Sequence, residues 1–489
     1  MSSQVKERLR HLFAPDSVAI IGASNSPEKW GNRILFNLTR GNFKGRIYPV
    51  NPHEKEVLGL ASLSSISDLP MGVDLAVITI PPKSVLQAIR DCISRNVKCC
   101  MVITSGFSET GPKGKKLEQE IGELALKAGM PLVGPNCVGI LSPVNSLYCH
   151  MMPLFLRKGS VAIITQSGSA ADMIATRVTS YGFGVSHSLS VGNEAVLQVA
   201  DYLDYLADDQ QTSVILGYIE GFRDGRKFLE TAKKVTLKKP LILLKAGSTP
   251  VGARAGQSHT GAMAGSDNII EAALKQAGVI RAESVDKLVE AGLVFINQPL
   301  PKGNRVGIIS PGGGWGVMAA DACTKAGLNV AALDRETIDR FNAILPDAWS
   351  HNNPVDTIAG VRGEIKELIE VLAASPSIDG VIAVGVVAGM PSLWTHLEGS
   401  SNKEEMTEKF AQSAMNHITR SFDEIIRIRD RYQKPIVMTP IMPVDLGNIL
   451  EAMSRIAGKT GTATFLSPAQ ACAAYAALWN YASYRQRNS

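Results

Sequence analysis

The chain lacks the features that mark membrane-spanning, disulfide-bonded and nucleic-acid-binding proteins. Its longest apolar runs hold about ten residues, whereas a membrane-spanning helix needs roughly 20, so no span is expected. Its seven cysteines form no CxxC pair, which predicts free thiols in a reducing cytoplasm. Histidines show no HExxH or other ligand spacing, so no protein-held metal is expected. Aromatic residues make up only 6%, and the basic residues are mixed with acids, which disfavours nucleic acid.

The composition is that of an ordinary globular chain. Of its 489 residues 45% are hydrophobic and 19% are charged, with a net charge of +5, which argues against disorder. Near the start, Leu9, Leu12 and Phe13 fit one face of a short helix. Pro15 and Asp16 interrupt what would otherwise be a signal-peptide core, so no targeting segment is expected.

Strand-like apolar runs alternate with helical stretches along most of the chain. Clear examples, each followed by Gly or Pro, are 18–21, 47–50, 75–80, 100–104 and 132–133. Such alternation predicts βαβ units, and therefore an α/β protein with parallel sheets covered by helices.

The length and a weak internal repeat predict three domains. The segment 158–168, a buried strand followed by a glycine turn, resembles 302–313, about one domain length further on. Proline clusters precede both copies and are typical of linkers. We therefore expect three doubly wound domains, at 1–145, 146–299 and 300–489.

The first candidate site is the Gly/Ser turn after the first strand, Gly22-Ala23-Ser24-Asn25. Free N–H groups where such a turn begins a helix suit a phosphate or pyrophosphate. The dinucleotide fingerprint GxGxxG is absent because Ser24 replaces its second glycine, and Asn51 stands where a ribose-binding acid is expected. An NAD-dependent dehydrogenase is therefore disfavoured, although a plain βα turn without a ligand stays open.

Three later loops are expected to reach the same edge of the first sheet. They lie at Ile80-Pro81-Pro82, Thr104-Ser105-Gly106 and Asn136-Cys137. Their Pro and Gly content indicates sharp turns, which fits loops that line a ligand and also fits plain connections.

The second candidate site is the run of small polar residues Gln166-Ser167-Gly168-Ser169, which begins a helix after another strand. Without bulky side chains, the N–H groups of that helix stay open to an anion. The serine-nucleophile elbow GxSxG is not met, because its first glycine is missing.

His259 and Glu220 are the candidate catalytic residues. His259 lies in a loop of Gly, Ala and Ser after the strand at 241–244, and an accessible imidazole can act as base, ligand or nucleophile. Glu220 ends another apolar strand, and its carboxylate could accept the His259 N–H or stabilise the charged ring. A solvated loop histidine and a surface glutamate are the alternatives.

The order of these motifs resembles the α subunit of ADP-forming acyl-CoA synthetases, such as acetate–CoA ligase, and more distantly the succinyl-CoA synthetase α subunit. The motifs are Gly-Ala-Ser at 22–24, Gly-Pro-Asn-Cys-Val-Gly at 134–139, Gln-Ser-Gly at 166–168, Ile-Glu-Gly at 219–221, Ser-His-Thr-Gly at 258–261 and Gly-Ser-Asp at 265–267. The resemblance covers nearly the whole chain, and the Ile-Glu-Gly and Ser-His-Thr-Gly motifs are highly specific as a pair.

The resemblance implies a CoA-binding Rossmann-like domain followed by two flavodoxin-like domains, and the reaction acyl-CoA + ADP + phosphate ⇌ carboxylate + CoA + ATP. His259 would take the phosphoryl group from an acyl phosphate, Glu220 would orient it, and Gln166, Ser167, Gly168 and Ser169 would cradle the phosphate. The implied CoA site comprises Gly22, Ala23, Ser24, Asn25, Lys29, Asn51, Lys55, Ile80, Pro81, Pro82, Thr104, Ser105 and Gly106. Asn136 and Cys137 would lie near the thioester, with Cys137 in a structural role.

The resemblance also implies a partner. In this family an ATP-grasp module holds ADP or ATP and Mg²⁺, and no such module is expected here, so we expect a separate β subunit in an α₂β₂ assembly. The glycine loop at 310–316 and the segment 390–403 depart from the family pattern, which leaves the role of the third domain open. A non-catalytic CoA- or acyl-CoA-binding regulatory protein is the alternative, and retention of both Glu220 and His259 argues against it.

Overall fold

A computed structural model describes most of the chain. The described residues are 3–252, 254, 267–357, 365–385, 420, 422–439, 454, 462 and 464–488. His259 and the segment 390–403 lie outside them. The chain divides into two compact units, one of residues 1–179 and 184–289 and one of residues 180–183 and 290–489.

The first part of the chain alternates strands and helices, as predicted. Its elements are α1 (Ser3–Phe13), β1 (Ser17–Ile21), α2 (Trp30–Arg40), β2 (Arg46–Val50), β3 (Glu56–Val57), β4 (Leu60–Ala61), β5 (Leu75–Ile78), α3 (Pro82–Ser94), β6 (Cys99–Val102), α4 (Pro112–Lys127) and β7 (Leu132–Val133). The amphipathic N-terminal helix is confirmed, since Leu9, Leu12 and Phe13 are fully buried.

These strands form a parallel five-stranded sheet in the order β2-β1-β5-β6-β7, and β3 and β4 form a small hairpin beside it. The inner strands are almost wholly apolar because helices cover both faces of a parallel sheet. The strand order reverses between β1 and β5. The carboxyl ends of these two strands therefore border the kind of crevice in which open α/β sheets bind ligands.

The second sheet follows in the same unit. Its elements are β8 (Gly139–Ser142), β9 (Leu147–His150), β10 (Lys158–Thr165), α5 (Gly168–Ser180), β11 (Val185–Ser190), α6 (Val199–Leu206), β12 (Val214–Ile219), α7 (Gly225–Thr236), β13 (Leu241–Lys245), α8 (Asp267–Gln276) and β14 (Ile280–Ala282). The order is β14-β13-β12-β10-β11-β8-β9, parallel except for the antiparallel pairs of β8 with β11 and with β9. Here the order reverses between β10 and β12, which makes a second crevice.

The strand β8 bears on the domain limits. It lies before residue 145 yet pairs with β11 of the second sheet, so the first sheet ends with β7 at Val133. The three-domain division at 145 and 299 stays a prediction. The predicted α/β class with parallel sheets is confirmed.

The remaining described elements are the strands of a third sheet and several helices. They are α9 (Val285–Leu293), β15 (Arg305–Ser310), α10 (Gly313–Lys325), β16 (Asn329–Val330), α11 (Arg335–Asn342), β17 (Val355–Asp356), α12 (Ile365–Ala374), β18 (Gly380–Val384), β19 (Ile436–Thr439) and α13 (Pro468–Asn488). The described strands are parallel, in the order β16-β15-β18-β19, with β17 on β15. Helix α10 begins within the glycine run, at Gly313, with Gly312 as its N-cap.

Candidate functional site

The turn after β1 is held close to helix α2 by two glycines. Gly22 has φ +94°, and a Cβ atom on it would lie 2.8 Å from Thr79 Oγ1. A Cβ atom on Gly31 would lie 2.0 Å from the Gly22 carbonyl oxygen. The two positions therefore need glycine because the backbone of the turn and the helix are in direct contact.

A carboxylate that the sequence analysis missed shapes this turn. Glu54 accepts hydrogen bonds from Ser24 Oγ at 3.2 Å and from the Asn25 N–H at 3.1 Å, and the Asn25 side-chain amide donates to it as well. The Asn51 amide donates to the Ala23 carbonyl at 2.7 Å. Glu54 follows β2, the strand after which dinucleotide-binding folds carry a ribose-binding acid, and that position was the available signal.

The predicted order of strand, Gly/Ser turn and helix is confirmed over residues 18–32. Helix α2 begins at Trp30 with Lys29 as its N-cap, so residues 22–28 form a longer loop. Its Asn25 N–H, expected to be open to a phosphate, is already bonded to Glu54. The side chains of Ser24 and Asn25 thus bind the segment after β2.

The structure brings the other loops of the first crevice together. The Thr104 hydroxyl donates to the Ile80 carbonyl at 2.7 Å, and the Asn136 N–H donates to the Thr104 carbonyl at 3.0 Å. The strands β5 and β6 end at Ile78 and Val102, before the predicted 80 and 104. Glu109 accepts the Gly106 N–H at 2.6 Å. Helix α3 begins beside these loops at Pro82. Four other residues predicted for this site are exposed, namely Lys29, Lys55, Pro81 and Ser105.

Cys137 is a buried thiol in this group. Its side chain is 2% exposed and its Sγ donates to the Val102 carbonyl at 3.3 Å. Burial raises the pKa of the thiol to about 12, so it is neutral at physiological pH. A neutral, enclosed thiol is a poor nucleophile, which agrees with a structural role.

In the second crevice, Gln166 and Glu220 follow the adjacent strands β10 and β12. The side-chain oxygen of Gln166, Oε1, accepts the Glu220 N–H at 2.6 Å and the Gly221 N–H at 2.9 Å. Its amide nitrogen donates to the Gly221 carbonyl at 2.8 Å and to a Glu194 carboxylate oxygen at 2.9 Å. The Gln166 side chain therefore holds the turn that carries Glu220, while Ser167 and Gly168 lead into α5.

The start of α5 has the small residues that an anion site needs. Ser169 is exposed, and Ser167 Oγ lies 3.2 Å from Ser169 Oγ. A Cβ atom on Gly168 would lie 2.2 Å from Val138 Cγ1, so this helix start packs against the segment that leads into β8. The first N–H groups of α5 lie at the crevice between β10 and β12, where an anion is favoured.

Glu194 is a second acid that the sequence analysis missed. It is 5% exposed, and burial raises its pKa to about 7 against the opposing effect of its hydrogen bonds from Val199 and Gln166. A lone acid in a loop carries no local sequence pattern. Its position beside Gln166 emerges only from the fold.

Asn193 joins the two crevices. Its amide nitrogen donates to Ser108 Oγ at 3.1 Å and to Glu118 at 2.8 Å, and its side-chain oxygen accepts from Asn136 at 3.2 Å. Arg223, three residues after Glu220, forms an ion pair with the buried Glu118 at 3.0 Å. The loops of the first sheet and the Glu220 turn are thus tied into one hydrogen-bonded network.

Lys245 places a positive charge beside the Glu220 turn. It ends β13, and its ammonium group donates to the Glu220 carbonyl at 2.9 Å. Burial lowers the pKa of Lys245. The loop with His259 follows this strand outside the described residues, so its distance from Glu220 stays a prediction.

The described residues show neither a metal-ion cluster nor a membrane-spanning helix. Within them, no group of three or more His, Cys, Asp or Glu side chains is placed to hold a metal ion. Among the helices that the structure describes, none is both long and apolar enough to cross a membrane.

Comparisons with protein families agree with the two sheets of the first unit. Residues 16–143 match the CoA binding domain family, and residues 158–295 match the succinyl-CoA ligase like flavodoxin domain family. The first range contains the crevice between β1 and β5, and the second contains the crevice between β10 and β12.

Whole-chain relatives extend the similarity. The α subunit of acetate–CoA ligase (ADP-forming) II from Pyrococcus furiosus is 45% identical over 80% of this chain and 86% of its own length. The acetate–CoA ligase (ADP-forming) I of Archaeoglobus fulgidus is 39% identical, and the match covers 77% of this chain but 54% of that longer protein. The solved structure of the dinucleotide-forming acetyl-coenzyme A synthetase 1 from Ca. Korarchaeum cryptofilum, in complex with phosphate and ADP, is 32% identical, with a TM-score of 0.85 and 98% of each chain covered.

Proposed function

The chain belongs to the α-subunit family of ADP-forming acetate–CoA ligases and is an acyl-CoA synthetase α subunit, and from that premise we propose that it works through a phosphorylated His259. CoA is a substrate of this ligase, and residues 16–143 of the chain match the CoA binding domain family. The identity of the histidine, the roles of the other site residues and the partner are the proposal.

In the first proposed step, phosphate attacks the carbonyl carbon of the acyl-CoA. The C–S bond breaks, CoA leaves as the thiol, and an acyl phosphate forms. We assign the CoA to the crevice bordered by residues 22–25, 80–82 and 104–106, with Asn136 and Cys137 nearest the thioester. The hydrogen bonds that join the loops at Ile80, Thr104 and Asn136 support this assignment.

In the second step, a His259 ring nitrogen attacks the phosphorus of the acyl phosphate. The P–O bond to the acyl group breaks, so the carboxylate leaves and phosphohistidine remains. Positioning and charge stabilisation dominate such transfers. The N–H groups at the start of α5 would stabilise the phosphate charge, and the Glu220 carboxylate would orient the imidazole and stabilise its charged form.

In the third step, ADP accepts the phosphoryl group and ATP forms. We propose that a separate ATP-grasp β subunit holds ADP and Mg²⁺ in an α₂β₂ assembly. Two observations support a separate subunit. The relatives that this chain matches over most of their length are named as α subunits. Other relatives are longer, and the chain spans only about half of their length.

The observation that carries the proposal is the convergence of Gln166, Glu220 and the start of α5 on one crevice of a sheet. The test is ATP formation from acetyl-CoA, ADP and phosphate by the chain with an ATP-grasp β subunit. We expect His259→Ala to abolish ATP formation while calorimetric CoA binding stays unchanged. The control is His351→Ala, which alters an exposed histidine outside the proposed site and should preserve both.

Wild-type ATP formation by His259→Ala would overturn the proposal. The non-catalytic alternative predicts a different result, in which the wild-type chain binds CoA but forms no ATP with the β subunit.

A further inference from the structure

We propose that Glu194 is a positioning residue that fixes, through Gln166, the backbone turn that carries Glu220. The inference rests on the proposed role of Glu220 beside His259. It adds a residue that neither the motifs nor the family comparisons assign to the reaction.

The carboxylate of Glu194 faces two N–H donors from different elements. One oxygen accepts the Val199 N–H at 2.6 Å at the start of α6, and the other accepts the Gln166 amide at 2.9 Å. The side chain is buried, so water does not compete for these bonds. Both carboxylate oxygens are therefore held as acceptors.

The contact with Glu194 adds to the bonds that fix the orientation of the Gln166 amide, whose nitrogen also donates to the Gly221 carbonyl at 2.8 Å. An amide has one acceptor oxygen and one donor nitrogen, and here the oxygen must face the N–H groups of Glu220 and Gly221. A carboxylate can only accept, so Glu194 keeps the Gln166 nitrogen on its own side. The opposite orientation would place the Gln166 NH₂ against two backbone N–H groups.

The backbone at Glu194 indicates that its side chain is needed there. Glu194 has φ +56°, in the left-handed region that Gly and Asn adopt at lower cost. A glutamate held in that conformation and buried against Gln166 uses its carboxyl group for a contact that a glycine would not make.

The purely structural alternative is that Glu194 only caps α6. The same helix start has a second acid, Asp201, which is 3% exposed and accepts the Gln198 N–H at 2.8 Å. Asp201 also pairs with Lys227, and no hydrogen bond joins it to Gln166 among the described residues. Asp201→Asn therefore reproduces a capping defect without disturbing the Glu220 turn.

The charged surroundings of Glu194 predict a pH signature. Burial raises the pKa of Glu194 to about 7, with a smaller contribution from Asp201, against the opposing effect of the hydrogen bonds from Val199 and Gln166 and the charge of Arg223. Protonation would put a hydrogen on an oxygen that faces an N–H donor. Phosphorylation of His259 should therefore slow as the pH falls through about 7.

The test compares Glu194→Gln with Asp201→Asn in the full chain. Because Gln has one acceptor oxygen, it leaves either Val199 or Gln166 facing an NH₂ group. We expect Glu194→Gln to slow His259 phosphorylation by acetyl-CoA and phosphate by about tenfold or more, since sub-ångström positioning governs such transfers. CoA affinity should stay within about twofold of wild type, well under the tenfold change that 1.4 kcal/mol produces. The pH limb near 7 should disappear.

Hydrogen exchange and a second variant separate positioning from a structural role. The amides of Glu220 and Gly221 should exchange faster in Glu194→Gln but not in Asp201→Asn.

Equal behaviour of Glu194→Gln and Asp201→Asn in exchange, rate and pH profile would overturn the inference and leave the proposed function standing. Failure of wild-type His259 to take up phosphate would overturn the proposed function. In that case unchanged exchange at Glu220 and Gly221 in Glu194→Gln would also overturn the positioning role, whereas faster exchange would support it.

Discussion

Replacement of Gly31 by alanine should weaken CoA binding, because this glycine lets helix α2 touch the turn after β1. The added Cβ would lie 2.0 Å from the Gly22 carbonyl oxygen and 3.0 Å from Thr79 Oγ1. Ordinary contacts between such atoms are above 3 Å, so the turn or the helix must move by about 1 Å. The Gly22 carbonyl is backbone and cannot rotate away as a side chain could.

The size of the effect follows from the cost of overpacking. An extra methyl group in a tightly packed site costs about 1–3 kcal/mol. If that strain is relieved by displacing residues 22–25, CoA affinity falls by about 5- to 150-fold. Calorimetric titration of CoA into wild type and Gly31→Ala measures the change directly.

The matched control is Gly225→Ala. Gly225 is the first residue of α7, and a Cβ atom there meets nothing within 4 Å. CoA affinity and the thermal midpoint should match wild type. A Gly31→Ala protein that binds CoA within about twofold of wild type, a change below 1 kcal/mol, would refute the reasoning that this turn forms part of the CoA site.

Three further predictions concern ionisation and capping. Because burial raises the pKa of Glu194 from 4.5 to about 7, its stabilising effect is complete below pH 4.5 and is lost as the pH rises through 7. Denaturant unfolding at pH 5 and pH 8 should show wild type losing about 2.5 kcal/mol relative to Glu194→Gln, and equal losses would contradict the burial argument. Cys137, with its pKa raised to about 12, should resist iodoacetamide in the native protein at pH 7.5 and react only after unfolding, as peptide mapping would show. Asp334 caps α11 by accepting the Thr337 N–H at 2.9 Å. The hydrogen bond from Ser375, together with that from Thr337, holds the pKa of Asp334 well below the usual range. Asp334→Ala should cost about 1–2 kcal/mol at pH 7 in denaturant unfolding, with the difference lost in acid, and an unchanged midpoint would contradict the capping role.

The sequence predicted those parts of the fold that local patterns encode. Short apolar runs followed by glycine or proline located the strands β1, β2, β5, β6 and β7, because a buried parallel strand is apolar on both faces. The same patterns placed the glycine turns at the carboxyl ends of the strands. The spacing of Leu9, Leu12 and Phe13 predicted the first helix, which has the expected buried face.

Long-range pairing was not predictable in this way. The strand β8 joins the second sheet through antiparallel contacts to β11, and nothing in its four residues specifies that partner. The contacts of Glu54 with Ser24 and Asn25 were also not predictable, because Glu54 lies beyond β2 in the sequence.

The candidate site was predicted by its motifs but not by its supporting contacts. Gln166 and Glu220 were singled out separately, yet only the fold shows that the Gln166 side chain holds the Glu220 turn. Glu194 and Asn193 are isolated polar residues in a loop, and their importance arises from burial and from partners distant in sequence.

The most direct test of the central claim is the intact mass of the purified chain after incubation with phosphate and a panel of acyl-CoA substrates. The account predicts a gain of one acid-labile phosphoryl group in the wild type and none in His259→Ala, and the extent of the gain ranks the acyl groups. A phosphoryl group that persists in His259→Ala would contradict the account, because the phosphate would then be carried by another residue.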